Sequence, residues 1–220
     1  MFGWLWNRLF GARRATPENP VDPAPYDPLD ALRAQVRRDV VGGFYDDDAI
    51  LTNANQQFEE ELPRPLLRRQ ASAALRAALA DHRAAEEQWP ALTDCDRLDA
   101  AFAALEADGI VARQNFTCCG TCGASEIWEE IEAAQADGVA VQGYAFFHMQ
   151  DTDSAVEGDG LYLNYGACEA GEGAAIAVGH RIVAALERQG LSTGWDGRLE
   201  TRIAVPIDWK KRRGVRVLEG

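Results

Sequence analysis

No apolar run in the 220 residues approaches the roughly 20 that a membrane-spanning helix requires, which excludes a membrane-embedded protein. Five cysteines in a chain of this length exclude a disulfide-framed miniprotein. Positive charge is also short: 22 Lys and Arg stand against 35 Asp and Glu, a net charge of −13 that argues against a general polyanion binder. A Gly-rich phosphate loop, a Walker lysine, a G-x-S-x-G turn and internal repeats are all missing, so no nucleotide cofactor is expected. What is there, 47% hydrophobic and 26% charged, is the composition of a soluble globular protein. A body of this size buries roughly 70% of its unfolded surface and folds without disulfides or oligomerisation.

Charge is unevenly spread. Arg8, Arg13 and Arg14 give residues 1–15 a charge of +3, and residues 198–220 carry +4, which leaves −20 on the body between them. The run Lys210-Lys211-Arg212-Arg213 can touch an anionic partner, fold back on the acidic body, or stay solvated. Nucleic acid is not an expected partner, whereas a protein, and a basic one in particular, suits the acidic body.

Four aromatics fall in residues 1–10, with Phe2, Leu5, Trp6, Leu9 and Phe10 on one side of a helical wheel. This segment is not a secretory signal, because its bases follow the apolar stretch, and Phe2 stands where myristoylation needs glycine. It reads either as a weak membrane-interface contact or as a helix docking on protein. A cytoplasmic location is the expectation. Residues 15–28 hold five of the nine prolines and read as an extended linker.

The organisation expected is a start and linker over 1–28, one α+β domain over 29–209, and a basic tail over 210–220. Residues 29–108 form the helical part, with about four helices. Leu32, Val36 and Val40 make the first stripe before Gly42-Gly43, and Cys95, Leu98, Phe102 and Leu105 make the last. Residues 109–209 form the sheet part, in the order βαββαββ. Strands are expected at 110–116, 142–149, 161–166, 193–196 and 201–207, and helices at 124–136 and 172–189. Strands joined without a crossover helix must be antiparallel, so a mainly antiparallel sheet with two helices is expected.

The densest chemistry is Asn115-Phe116-Thr117-Cys118-Cys119-Gly120-Thr121-Cys122-Gly123, between a strand and a helix. Cys119-x-x-Cys122 lets two sulfurs converge, and a helix start stabilises thiolates. Four readings stand open. A zinc site would use Cys119 and Cys122 with two of Cys118, His148, Cys168 or Asp151, and the set favoured is Cys118, Cys119, Cys122 and His148. A redox site would use the CxxC pair, although no proline stands where one would face it. A nucleophile, Cys118 or Cys119, would pair with His148 and Asp151. The fourth reading is turn and core packing alone. His148 is read on an aromatic strand with Tyr144 and Phe146, and the acidic stretch Gln150 to Gly160 as a solvated turn between two strands, since it fails the Ca2+-loop pattern.

Three motifs occur together here: Asn115-Phe116-x-Cys118-Cys119-x-x-Cys122-Gly123, Phe147-His148-x-Gln150-Asp151-Thr152, and Gly160-Leu161-Tyr162-Leu163-x-Tyr165-Gly166. With Val178-Gly179-x-Arg181-Ile182 and Trp195-Asp196-Gly197, they resemble a bacterial family, domain of unknown function 6891. The resemblance implies one intact domain and no particular activity. The reading that results is a non-catalytic binding or regulatory module built around a cysteine cluster, with a cysteine-dependent enzyme as the alternative.

Overall fold

A computed structural model describes residues 25–214. The aromatic start lies outside the described residues. Four helices come first: α1 (Pro28–Gly42), α2 (Asp47–Phe58), α3 (Arg64–Glu86) and α4 (Asp94–Ala107). Their ends carry the expected chemistry. The Asp27 side chain accepts from Leu29 N at 2.8 Å, Asp46 caps α2, and Thr93 and Asp96 form a capping box at α4. Leu32, Val36, Ile50, Phe58, Leu67 and Leu75 close the core of α1–α3. The stripe on α4 does not join them, and packs instead beneath the sheet with Ile110, Phe147, Leu161 and Ile182.

The remaining elements are β1 (Ile110–Arg113), α5 (Gly120–Ala136), β2 (Gly143–Phe146), α6 (Met149–Glu157), β3 (Leu161–Ala167), α7 (Glu172–Arg188) and β4 (Ile203–Val205). The sheet runs β1-β2-β3-β4. Its first pair is parallel, crossing over through α5, and the other two are antiparallel, so the sheet is mixed within the expected α+β class. Strand alternation divides the side chains between two faces. Val111 and Phe146 meet Ile127 and Ile131 of α5, while Ile110 and Phe147 face α4 and α7.

Two expectations are corrected. The segment after His148 is the helix α6 and not a solvated turn, with Asp151 and Thr152 buried at 3% and 5% exposure. His148 caps this helix. Its Nδ1 accepts from Asp151 N at 3.3 Å, and its own N–H donates to Asp151 Oδ2 at 3.0 Å. The last strand pair is reduced to β4, which Gly194 meets only in an isolated bridge with Ala204.

The basic run folds back as far as it is described. Trp209 Nε1 donates to Val41 O at 3.1 Å, which ties α1 to the sheet body. Lys211 pairs with Asp99 at 2.9 Å, Arg212 with Asp96 at 2.7 Å, and Arg213 with Asp47 at 3.0 Å.

Candidate functional site: the thiol loop

Residues 114–119 leave β1 and are stitched to the end of β2. Phe116 N donates to Phe147 O at 2.8 Å, and Met149 N donates to Thr117 O at 3.1 Å. Turning the chain here needs left-handed backbone at Asn115 (φ 50°) and Thr117 (φ 58°). For a β-branched threonine that conformation is strained, and such strain persists only where surrounding contacts hold it. Helix α5 then starts, with Cys119 at its N-cap. Gly123 in its first turn lies so close to β2 that an added Cβ would sit 2.4 Å from the Phe146 ring.

The result is one group of three sulfurs. The ligand atoms of Cys118, Cys119 and Cys122 all lie within 4.8 Å of one another, and Cys118 Sγ is 3.5 Å from Cys122 Sγ. All five cysteines are free. The Cys119 thiol is held below its usual range, chiefly by the backbone N–H of Cys122, then by the Cys122 side chain and the N–H of Thr121. Cys122 is pushed up to about 11, because hydrogen bonding to Cys118 and Cys119 favours its protonated form. The pair is therefore asymmetric, with an activated thiol at the helix cap and a protonated partner one turn on.

His148 and Asp151 do not join the sulfurs. The His148 ring borders the loop, with Nε2 3.6 Å from where a Cβ on Gly120 would stand, but its nitrogens are engaged elsewhere. Nδ1 caps α6, and Nε2 lies 3.1 Å from Asp151 Oδ2. Burial lowers the His148 pKa and the nearby Arg202 charge adds to this, with Asp151 opposing. Asp151 in turn accepts from Arg202 Nη2 at 2.6 Å. Arg202 also donates to the Tyr162 carbonyl, so it clamps α6 to β3. Cys168 lies outside the sulfur group, and burial raises its pKa. Cys95 is core, 2% exposed, with its thiol pushed up to about 12 by burial.

Two residues of this neighbourhood escaped the sequence reading. Arg202 reaches Asp151 from 51 positions away, a pairing no local spacing signals. Asn164 on β3 puts Oδ1 3.8 Å from the same Gly120 position, while its buried Nδ2 has no hydrogen-bond partner among the described residues.

Fold and loop together define an α+β protein, with a mixed four-stranded sheet and a half-exposed trithiol group at a helix start. The chain belongs to the family described as Domain of unknown function (DUF6891), which matches residues 26–213. No curated protein and no solved structure matches it. No helix among the described residues is long and apolar enough to cross a membrane.

Proposed function

We propose that Cys118, Cys119 and Cys122 bind one thiophilic metal ion, zinc in the first instance, and that the protein is a non-catalytic binding or regulatory module of the reducing cytoplasm. The observation that carries this reading is the convergence of three sulfurs within 4.8 Å. The 3.5 Å separation of Cys118 and Cys122 is close to the edge of a zinc–thiolate tetrahedron, about 3.8 Å for Zn–S bonds of about 2.3 Å. Three cysteines leave a fourth position for water or for a side chain of a protein partner, and the acidic body favours a basic one. His148, the fourth ligand expected from the sequence, could take that place only by giving up Asp151, so it serves the loop as a support. Any contact of residues 1–10 with a membrane interface belongs to the same regulatory reading.

A second reading rests on the asymmetry of the CxxC pair. A lowered Cys119 beside a raised Cys122 is the arrangement of an attacking and a resolving thiol in disulfide exchange. One experiment separates the two: elemental analysis of reduced, tag-free protein, with alkylation rates of each cysteine by mass spectrometry. About one zinc per chain, lost in Cys119→Ser while circular dichroism is unchanged, supports the metal centre. Absence of metal with Cys119 alkylating far ahead of the others supports thiol exchange. Absence of metal with slow, uniform alkylation overturns both.

A further inference from the structure

A cavity of about 250 Å³ lies between the α1–α3 bundle and the sheet body. Asp39 of α1, Asn53 and Gln57 of α2, Asn115 and Thr152 line it. Polar side chains at a seam between two apolar clusters must be satisfied or they cost stability. Most are satisfied. Thr152 Oγ1 donates to Asn115 Oδ1 at 2.8 Å, Asn115 Nδ2 donates to the Tyr45 hydroxyl at 3.2 Å, and Gln35 Nε2 donates to Asp39 Oδ1 at 2.9 Å. Asp39 Oδ2 is not: the residue is 6% exposed, and this oxygen has no hydrogen-bond partner among the described residues. The other charged groups lining the cavity are Arg38 and Asp153, 3.9 Å apart, which offset each other. Asp39 forms no ion pair among the described residues, and although the Arg38 charge and the Asn53 side chain favour its ionised form, burial outweighs them, so an asparagine would keep the bond to Gln35 at less cost.

We propose that this cavity binds a small organic cation with N–H donors, a primary ammonium group that hydrogen-bonds Asp39 Oδ2. A carboxylate only accepts, so its occupant must donate. An ammonium supplies both the donor and the missing positive charge, and charge-assisted bonds of this kind are the strong ones. The volume sits just below the usual range for small-molecule sites, which admits an amine of a few heavy atoms and excludes a nucleotide or a folded peptide. Phe44, Tyr45 and Met149 supply apolar wall for its carbon atoms. The site is independent of the metal reading. It nevertheless shares Asn115 with the thiol loop, so an occupant would bear on the strained backbone that leads to Cys118.

The test is a two-dimensional amide NMR titration of the full chain near neutral pH with ethanolamine, and with ethylene glycol as the neutral counterpart. Saturable shifts centred on Asp39, Asn53, Asn115 and Thr152 are expected with ethanolamine alone. Binding should weaken at least about tenfold in Asp39→Asn. Gln57→Trp, which narrows the cavity from α2 and leaves both Asp39 and Asn53 in place, should weaken it too, and both variants should keep the dispersion of a folded spectrum. The proposal is overturned if ethanolamine gives no saturable shift there, if ethylene glycol does as well, or if Asp39→Asn binds as tightly as the parent.

Discussion

Replacing Asp39 by asparagine should stabilise the protein, by an amount that depends on pH. Burial is the main cause that pushes the Asp39 carboxyl from 3.8 up to about 6; the Gln35 hydrogen bond works against it, the charge of Asp153 adds to it, and the Arg38 charge and the Asn53 side chain oppose it less strongly. A shift of about two pH units corresponds to about 3 kcal/mol, and solvent screening at the cavity mouth trims this to about 1–2 kcal/mol. The native state keeps a proton that the unfolded chain releases between these two values. Parent stability therefore falls as pH rises through that window and levels off above it. Asparagine carries no charge to desolvate and still offers a carbonyl oxygen to Gln35. The variant and the parent should be equally stable below about pH 4, and the variant ahead by about 1–2 kcal/mol above about pH 7, a Tm rise of about 3–6 °C for a chain of this size. Guanidinium unfolding followed by tryptophan fluorescence, repeated across that pH range, measures the difference directly. A variant less stable than the parent at neutral pH, or an offset that does not change with pH, would refute the assignment of Asp39 as a buried charge whose desolvation outweighs its partners.

Arg202→Met should cost about 2–3 kcal/mol, because it leaves Asp151, 3% exposed, without the guanidinium 2.6 Å away. Denaturant unfolding tests this, and a loss below about 0.5 kcal/mol would mean that solvent replaces the arginine. Gly123→Ala should cost about 1–3 kcal/mol, since its methyl would meet the fully buried Phe146 ring at 2.4 Å. Gly173→Ala, on a helix with nothing within 4 Å of the new atom, should be neutral or slightly stabilising, which makes the pair an internal control in one thermal-melt series.

The helices α1–α4 were legible because their apolar stripes recur at helical spacing and their caps are ordinary ones: Asp27, Asp46 and Thr93 at the starts, Gly43 after α1. Helix α6 was not. Its nine residues carry three acids, and its buried face is Asp151, Thr152 and Ala155, so no apolar stripe exists to be read. It forms because His148 and Asp151 cap each other and Arg202 neutralises the buried acid, and the last of these is invisible as local pattern. The terminal strand pair failed for a related reason. Ile203 and Val205 are buried against β3, but the earlier strand offers only Gly194 as a pairing residue.

The thiol group was legible because three cysteines in five residues converge whenever a helix begins among them. Arg202, Asn164 and Asp39 were not, since each matters through what tertiary packing brings to it. Charge shows the same division. The net −20 of the body overstates the field a partner would meet, because Lys211, Arg212 and Arg213 fold back onto Asp99, Asp96 and Asp47. Those pairs offset one acid of α2 and two of α4. Glu126, Glu129 and Glu132 on α5 are exposed and make no ion pair among the described residues, and Trp128 beside them is 44% exposed. These acids add negative charge to the helix that begins at the thiol loop, so a basic partner drawn to α5 would approach the neighbourhood of the proposed metal.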